Sequence, residues 1–211
     1  RLIGGLTSKA CDQANELYST FCKGNIHLTS ARTAELTKLA ENAYRDVNIA
    51  FANELSLICD KLGINVWELI KLANRHPRVN ILQPGPGVGG HCIAVDPWFI
   101  VDSAPDEAKL IRTARLVNDG KPSFVLGKVS QAIEATGKER SELAIACLGL
   151  AFKPDIDDLR ESPALEIAKQ VGFMGFAKLI LVEPNINELP QGFAPQTTEL
   201  IGLESALTTA D

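Results

Sequence analysis

Residues 143–182, LAIACLGLAFKPDIDDLRESPALEIAKQVGFMGFAKLILV, decide the architecture of this 211-residue chain. Leu143-Ala144-Ile145-Ala146-Cys147-Leu148 is a short apolar run, and Lys178-Leu179-Ile180-Leu181-Val182 is a second. Between them, Ser162 to Phe173 has the apolar spacing of a helix. A strand, a helix and a second strand, with strands apolar enough to be covered on both faces, make a parallel α/β unit. Ligands of such sheets bind beyond the carboxyl ends of the strands, so Gly149 to Asp158 and Glu183-Pro184-Asn185 mark a candidate site. A last helix is expected from about Leu203 to Thr209.

Upstream the period is helical. Leu36, Leu39, Ala43, Val47, Ala50, Leu55, Ile58 and Leu62 step along one face of a long helix from Ser30 to Leu62, stopped by Gly63. Asn65 with Glu68 forms a capping box for a second helix that ends by Arg75-His76-Pro77. A third helix is predicted from Lys109 to Ala135, kinked or broken at Gly120 and Pro122. The first 28 residues give a strand, a Gly-Gly turn and a helix over Lys9 to Cys22. A long helix with this much apolar surface needs a partner, and a second subunit is one solution.

Composition narrows the class. With 45% hydrophobic and 22% charged residues the chain is globular, and its net charge of −5 argues against a broad nucleic-acid or anionic-membrane surface. The five cysteines are scattered with no C-x-x-C pair, which favours a reducing, cytoplasmic setting over a disulfide scaffold or zinc ribbon. No run is long enough for a membrane span. The opening at Leu2-Ile3-Gly4-Gly5 and the ending just after a helical pattern suggest a piece of a longer enzyme.

The chemistry-bearing residues cluster around one break. Pro84-Gly85-Pro86-Gly87-Val88-Gly89-Gly90-His91-Cys92 cannot form a helix or regular strand, and its glycines let backbone N–H groups approach a ligand. Cys92 at the end of that loop is either a nucleophile or a structural thiol. Lys38 and Asn42, four apart, share a helix face that Arg45 extends, and read as a solvated row roughly opposite the apolar stripe. Arg75, Arg78, Lys153 and Arg160 are loop cations suited to phosphate. Asp155, Asp157 and Asp158, flanked by Lys153 and Arg160, form a salt-bridge network rather than a metal site.

Three segments carry a resemblance: Ala34 to Asn42, the loop Gly85 to Cys92 with Asp96, and Phe152 to Pro163. Together they resemble the UDP-glucose/GDP-mannose dehydrogenase family. Within it, Asn74 to Ile81 and His91 to Trp98 are similar to the branch acting on UDP-N-acetyl-D-mannosamine. The resemblance implies α/β architecture with a central all-α region: a long dimerisation helix followed by an incomplete Rossmann-like parallel α/β domain. It assigns 1–28 to the tail of an NAD-binding domain, 29–118 to the central helical dimerisation region with the cysteine loop, and 119–211 to part of a UDP-sugar-binding domain.

It also implies an NAD-dependent oxidation of UDP-N-acetyl-D-mannosamine to its uronic acid, for surface polysaccharide, in which Cys92 forms a thiohemiacetal and then a thioester. Lys38 and Asn42 would stabilise the oxyanion and position water, and Asp96 would assist the water step. Gly89, Gly90, His91, Phe152 and Lys153 would contact the nucleotide sugar. Arg78, or its neighbour Arg75, would reach across a homodimer. NAD would be bound mainly by a domain outside these residues, so the chain alone would be inactive. His91 and Val95 replace the serine and lysine usual in UDP-glucose members, which favours an N-acetylated sugar. A non-catalytic assembly and nucleotide-sugar-binding module is the alternative, and a cysteine hydrolase would need His27 or His76 at Cys92.

Overall fold

A computed structural model describes residues 1–211, and its elements run in the order β1 (Leu2–Gly5), α1 (Ser8–Ser19), β2 (His27–Ser30), α2 (Ala31–Leu62), α3 (Val66–Ala73), α4 (Asp96–Ser103), α5 (Lys109–Thr136), a 3₁₀ turn (Arg140–Glu142), β3 (Ala144–Leu148), α6 (Pro163–Gly172), β4 (Lys178–Val182), β5 (Thr198–Leu200) and α7 (Leu203–Thr209). Two parallel sheets result, β1-β2 and β3-β4-β5.

The second sheet explains why β4 lacks polar alternation. Leu179 and Leu181 face a core with Leu143, Leu150, Ile167, Val171 and, from α5, Ile133, while Ile180 and Val182 point the other way onto Ala206 of α7. A central strand covered on both faces has no position for a polar side chain.

The long helix is as expected in extent, with the Ser30 hydroxyl capping the Thr33 N–H and Gly63 in the left-handed conformation that ends it. Its buried face is a correction. Of the expected stripe, Ala43 and Ala50 are buried and Leu39, Val47 and Leu55 half-buried, but Leu36, Ile58 and Leu62 are exposed, as are Tyr44 and Phe51, and the buried face is completed by Asn42, Asp46, Ala52, Asn53 and Cys59. Small residues here, with Ala114 opposite, let α2 and α5 approach closely enough for polar side chains to bond between them.

Further corrections concern boundaries. Helix α1 ends at Ser19, three residues short of expectation. Gly4 and Gly5 belong to β1 and make no turn; a Cβ on Gly4 would stand 2.5 Å from Ala34 Cβ, so glycine is required by the approach of α2. Asn65 caps α3 through the Trp67 and Glu68 N–H groups. Helix α5 is continuous through Gly120 and Pro122, since the N–H that proline lacks removes only one bond from a helix otherwise held by packing on α2, α4 and α6. β2, α4 and β5 were not foreseen; α4 starts at Asp96-Pro97, where proline suits a first turn.

Candidate active site

The glycine-rich loop after α3 passes between α2 and the segment after β3, and a cavity of ≈ 510 Å³ opens there. Its wall contains Lys38, Asn42 and Arg45 of α2, Gly89 to Cys92 of the loop, and Phe152, Lys153 and Arg160. Of the residues singled out from sequence, Lys38, Asn42, Cys92, Gly89, Gly90, His91, Phe152 and Lys153 thus share one cavity. Asp96 joins them through Asn42, whose Nδ2 donates to Asp96 Oδ2 at 2.5 Å.

The environments differ sharply. Lys38 is exposed and pairs with Glu41 at 3.2 Å, a surface contact that holds it only weakly. Asn42 is not on a solvated face, as its spacing with Lys38 suggested, but buried against α4. The Cys92 thiol is exposed at the mouth, with His91 beside it also exposed. A single chain leaves Arg75 and Arg78 exposed beyond the cavity wall, on the segment after α3.

Gly89 and Gly90 pack on the far wall. Gly90, at φ +82°, has its missing Cβ 2.8 Å from the Phe152 ring, and Gly89 abuts Phe152 Cβ and Pro163. The Lys153 ammonium sits 5.8 Å from the same ring. The expected salt-bridge network reduces to one pair: Arg160 grips Asp158 with Nε and Nη2 at 2.9 and 2.7 Å, and these bonds hold the Asp158 carboxyl down at about 2. Asp155 and Asp157 form no ion pair.

Glu183 at the end of β4 shapes the segment before Phe152. Its Oε2 accepts from the Leu150 and Ala151 N–H groups at 2.8 and 3.0 Å, and its Oε1 from Asn185. Burial opposes its ionisation, yet these bonds together outweigh burial and leave its pKa below the usual value. The strand-end rule flagged Glu183; nothing in the sequence flagged Asn53, which holds the loop to α2 by accepting from the Gly85 N–H, or Asp46, which bonds Arg115 and Asn118 across the α2–α5 seam.

The residues present do not fit a dinucleotide. Residues 85–90 match G-x-G-x-x-G in letters, but they follow no strand and open no helix, and the last two glycines are spent on contact with Phe152 and Pro163.

Residues 32–120 match the UDP-glucose/GDP-mannose dehydrogenase family central domain, and residues 146–211 match the UDP binding domain of the same family. The chain belongs to the UDP-glucose/GDP-mannose dehydrogenase family. It is 61% identical, over its whole length, to 51% of an Escherichia coli UDP-N-acetyl-D-mannosamine dehydrogenase. It is 60% identical to 48% of an NDP-N-acetyl-D-galactosaminuronic acid dehydrogenase of Ralstonia nicotianae. A solved UDP-D-ManNAc dehydrogenase from Pyrococcus horikoshii superposes with a TM-score of 0.83 at 39% identity, covering 99% of this chain and 53% of that one. The chain therefore spans about half the length of the relatives it matches. No helix is long and apolar enough to cross a membrane.

Proposed function

We propose that this chain forms the central and nucleotide-sugar-binding parts of an NAD-dependent dehydrogenase that oxidises UDP-N-acetyl-D-mannosamine to the uronic acid. The observation carrying this reading is the convergence of an exposed thiol, Cys92, with Lys38 and the Asn42–Asp96 pair on one cavity. An aldehyde carbon gives up no second hydride until a nucleophile has added. Cys92 Sγ bonds to that carbon, its oxygen takes a proton, and the thiohemiacetal has the C–H and O–H needed for further oxidation. Water then displaces the thiolate from the thioester. Lys38 and Asn42 hold the oxygen that becomes negative, and Asp96, fixed by Asn42, takes the proton of the attacking water. Lys153 and Arg160 supply cations for the diphosphate, and Phe152 an aromatic face. The hydride acceptor, NAD, belongs to a domain for which residues 1–28 form the tail.

The assembly-module reading gives no reason for a buried amide paired with a half-buried carboxylate beside an exposed thiol. Assembly still belongs to the proposal: Tyr44, Phe51, Ile58 and Leu62 form an exposed stripe on α2, suited to a two-fold contact through which Arg75 or Arg78 of a second copy reaches the cavity. The test is Cys92→Ser in the complete enzyme. Acid formation falls by about 100-fold or more while UDP-sugar affinity stays within a few fold. Turnover above about a tenth of the unaltered rate overturns the reading.

A further inference from the structure

We propose that Asn53 is a positioning residue for the cysteine loop, aligned by a buried hydrogen-bond chain of fixed polarity that starts at the Asp46–Arg115 pair; its kinetic consequence rests on the reaction proposed above. Residues 84–95 have almost no regular structure, so side-chain bonds to the body set their path. Two asparagines of α2 supply them. Asn53 Oδ1 accepts from the Gly85 N–H at 2.8 Å, and Asn42 Nδ2 donates to Asp96 Oδ2 at 2.5 Å. They stand eleven positions apart, about 16 Å along a helix. Gly85 and Asp96 are also eleven apart, and an extended chain of that length reaches about 36 Å. Tension therefore does not place the loop; the two clips do.

The orientation of the Asn53 amide is not free. Asp46 and Arg115 are fully buried, with Arg115 Nη1 donating to Asp46 Oδ1 at 2.6 Å and Nη2 to Asp119. A carboxylate paired in this way only accepts, so Asn118 presents Nδ2 to Asp46 Oδ1, at 2.8 Å. That turns Asn118 Oδ1 toward Asn53, whose Nδ2 donates to it at 2.8 Å. Asn53 Oδ1 is then the atom left for Gly85. Every link has one permitted direction, and reversing any of them sets two acceptors or two donors face to face in a buried seam. Neither Asp46, Asn118 nor Asn53 lines the cysteine cavity, so their effect reaches Cys92 only through the loop.

The test compares Asn53→Leu and Asn53→Asp with the unaltered protein. Amide hydrogen exchange is read in this chain, and steady-state kinetics in the complete enzyme. Asn53→Leu removes both bonds, raising exchange over Gly85–Cys92 about tenfold or more while β4 stays protected, and lowering kcat about tenfold or more with KM within about threefold. Asn53→Asp can still accept from Gly85, but its second oxygen opposes Asn118 Oδ1, and Asn118 cannot turn because its Nδ2 donates both to Asp46 Oδ1 and to the Asp46 carbonyl oxygen; exchange and kcat move in the same direction as in Asn53→Leu. Unchanged loop exchange in Asn53→Leu overturns the proposal. If Asn53→Leu does not fold, Asn53→Asp decides, and unchanged loop exchange there overturns it. Failure of the reaction itself is seen separately, as turnover that survives Cys92→Ser, and the exchange pattern then still decides whether the clip exists.

Discussion

Gly89→Ala is the sharpest test of how the cavity is built. Its backbone is not in the left-handed region, so any cost comes from space. The new methyl collides with the Glu161 carbonyl oxygen and stands 2.8 Å from both Phe152 Cβ and Pro163 Cδ. None of these is the free end of a flexible side chain, and ordinary carbon contacts need about 3.5–4.0 Å. The loop must therefore retreat from the 152–163 wall by about 1 Å, an overpacking cost of about 2–3 kcal/mol. For a chain of this size that lowers Tm by about 4–12 °C. It also separates Cys92 from Phe152 and Lys153, weakening UDP-sugar binding about tenfold or more in calorimetry. Gly90→Ala is the informative neighbour. The three atoms nearest its methyl all belong to the Phe152 ring, which can turn, and the penalty of about 1–2 kcal/mol comes from φ +82° instead. Gly24→Ala, with nothing within 4 Å, is the control. If Gly89→Ala melts and binds like Gly24→Ala, the packing of loop against wall described above is wrong.

Other outcomes follow from buried and titrating groups. Arg115→Met strands the Asp46 carboxylate in the α2–α5 seam and destabilises the chain by about 3–5 kcal/mol in urea denaturation; a loss under about 1 kcal/mol would contradict its burial. Glu183 has a lowered pKa, so its contribution is complete above its ordinary 4.5 and disappears as pH falls below that value. Glu183→Gln accordingly flattens the acid limb of the melting curve, and an unaltered limb would count against the Leu150 and Ala151 bonds. Burial pushes the Cys147 thiol up to about 11 from 9.0, so mass spectrometry after alkylation near pH 8 finds exposed Cys92 labelled and Cys147 spared. Equal labelling would refute that difference.

The α/β unit was legible because a strand covered on both faces must be apolar throughout, and Leu179 to Val182 contains nothing else. Most of the cavity was legible through resemblance, since Lys38, Asn42 and Cys92 lie in motifs and the fold brings them together. The buried face of α2 was misread for a physical reason. Periodicity counts large apolar residues, but the buried face of α2 is made of alanines, Cys59 and paired polar groups, while its large apolar side chains are half-buried or exposed. Asp46 and Asn53 looked like ordinary helix-surface residues because their partners, Arg115, Asn118 and Gly85, are at least 32 positions away. Helix α5 was expected to break because proline was weighed without its tertiary support. Strand β5 has three residues, too short to show a period.

The continuity of α5 has a mechanical meaning. Its first half is bolted to α2 by Arg115 and Asn118, and its last turns bury Ile133 in the core of the β3-β4-β5 sheet. One rod thus belongs to both bodies that form the walls around Cys92. A joint of this kind resists hinging, so the backbone separation between the α2 wall and the 152–163 wall is held by a single helix, and movement within the cavity is left to the loop and to exposed side chains such as Lys38.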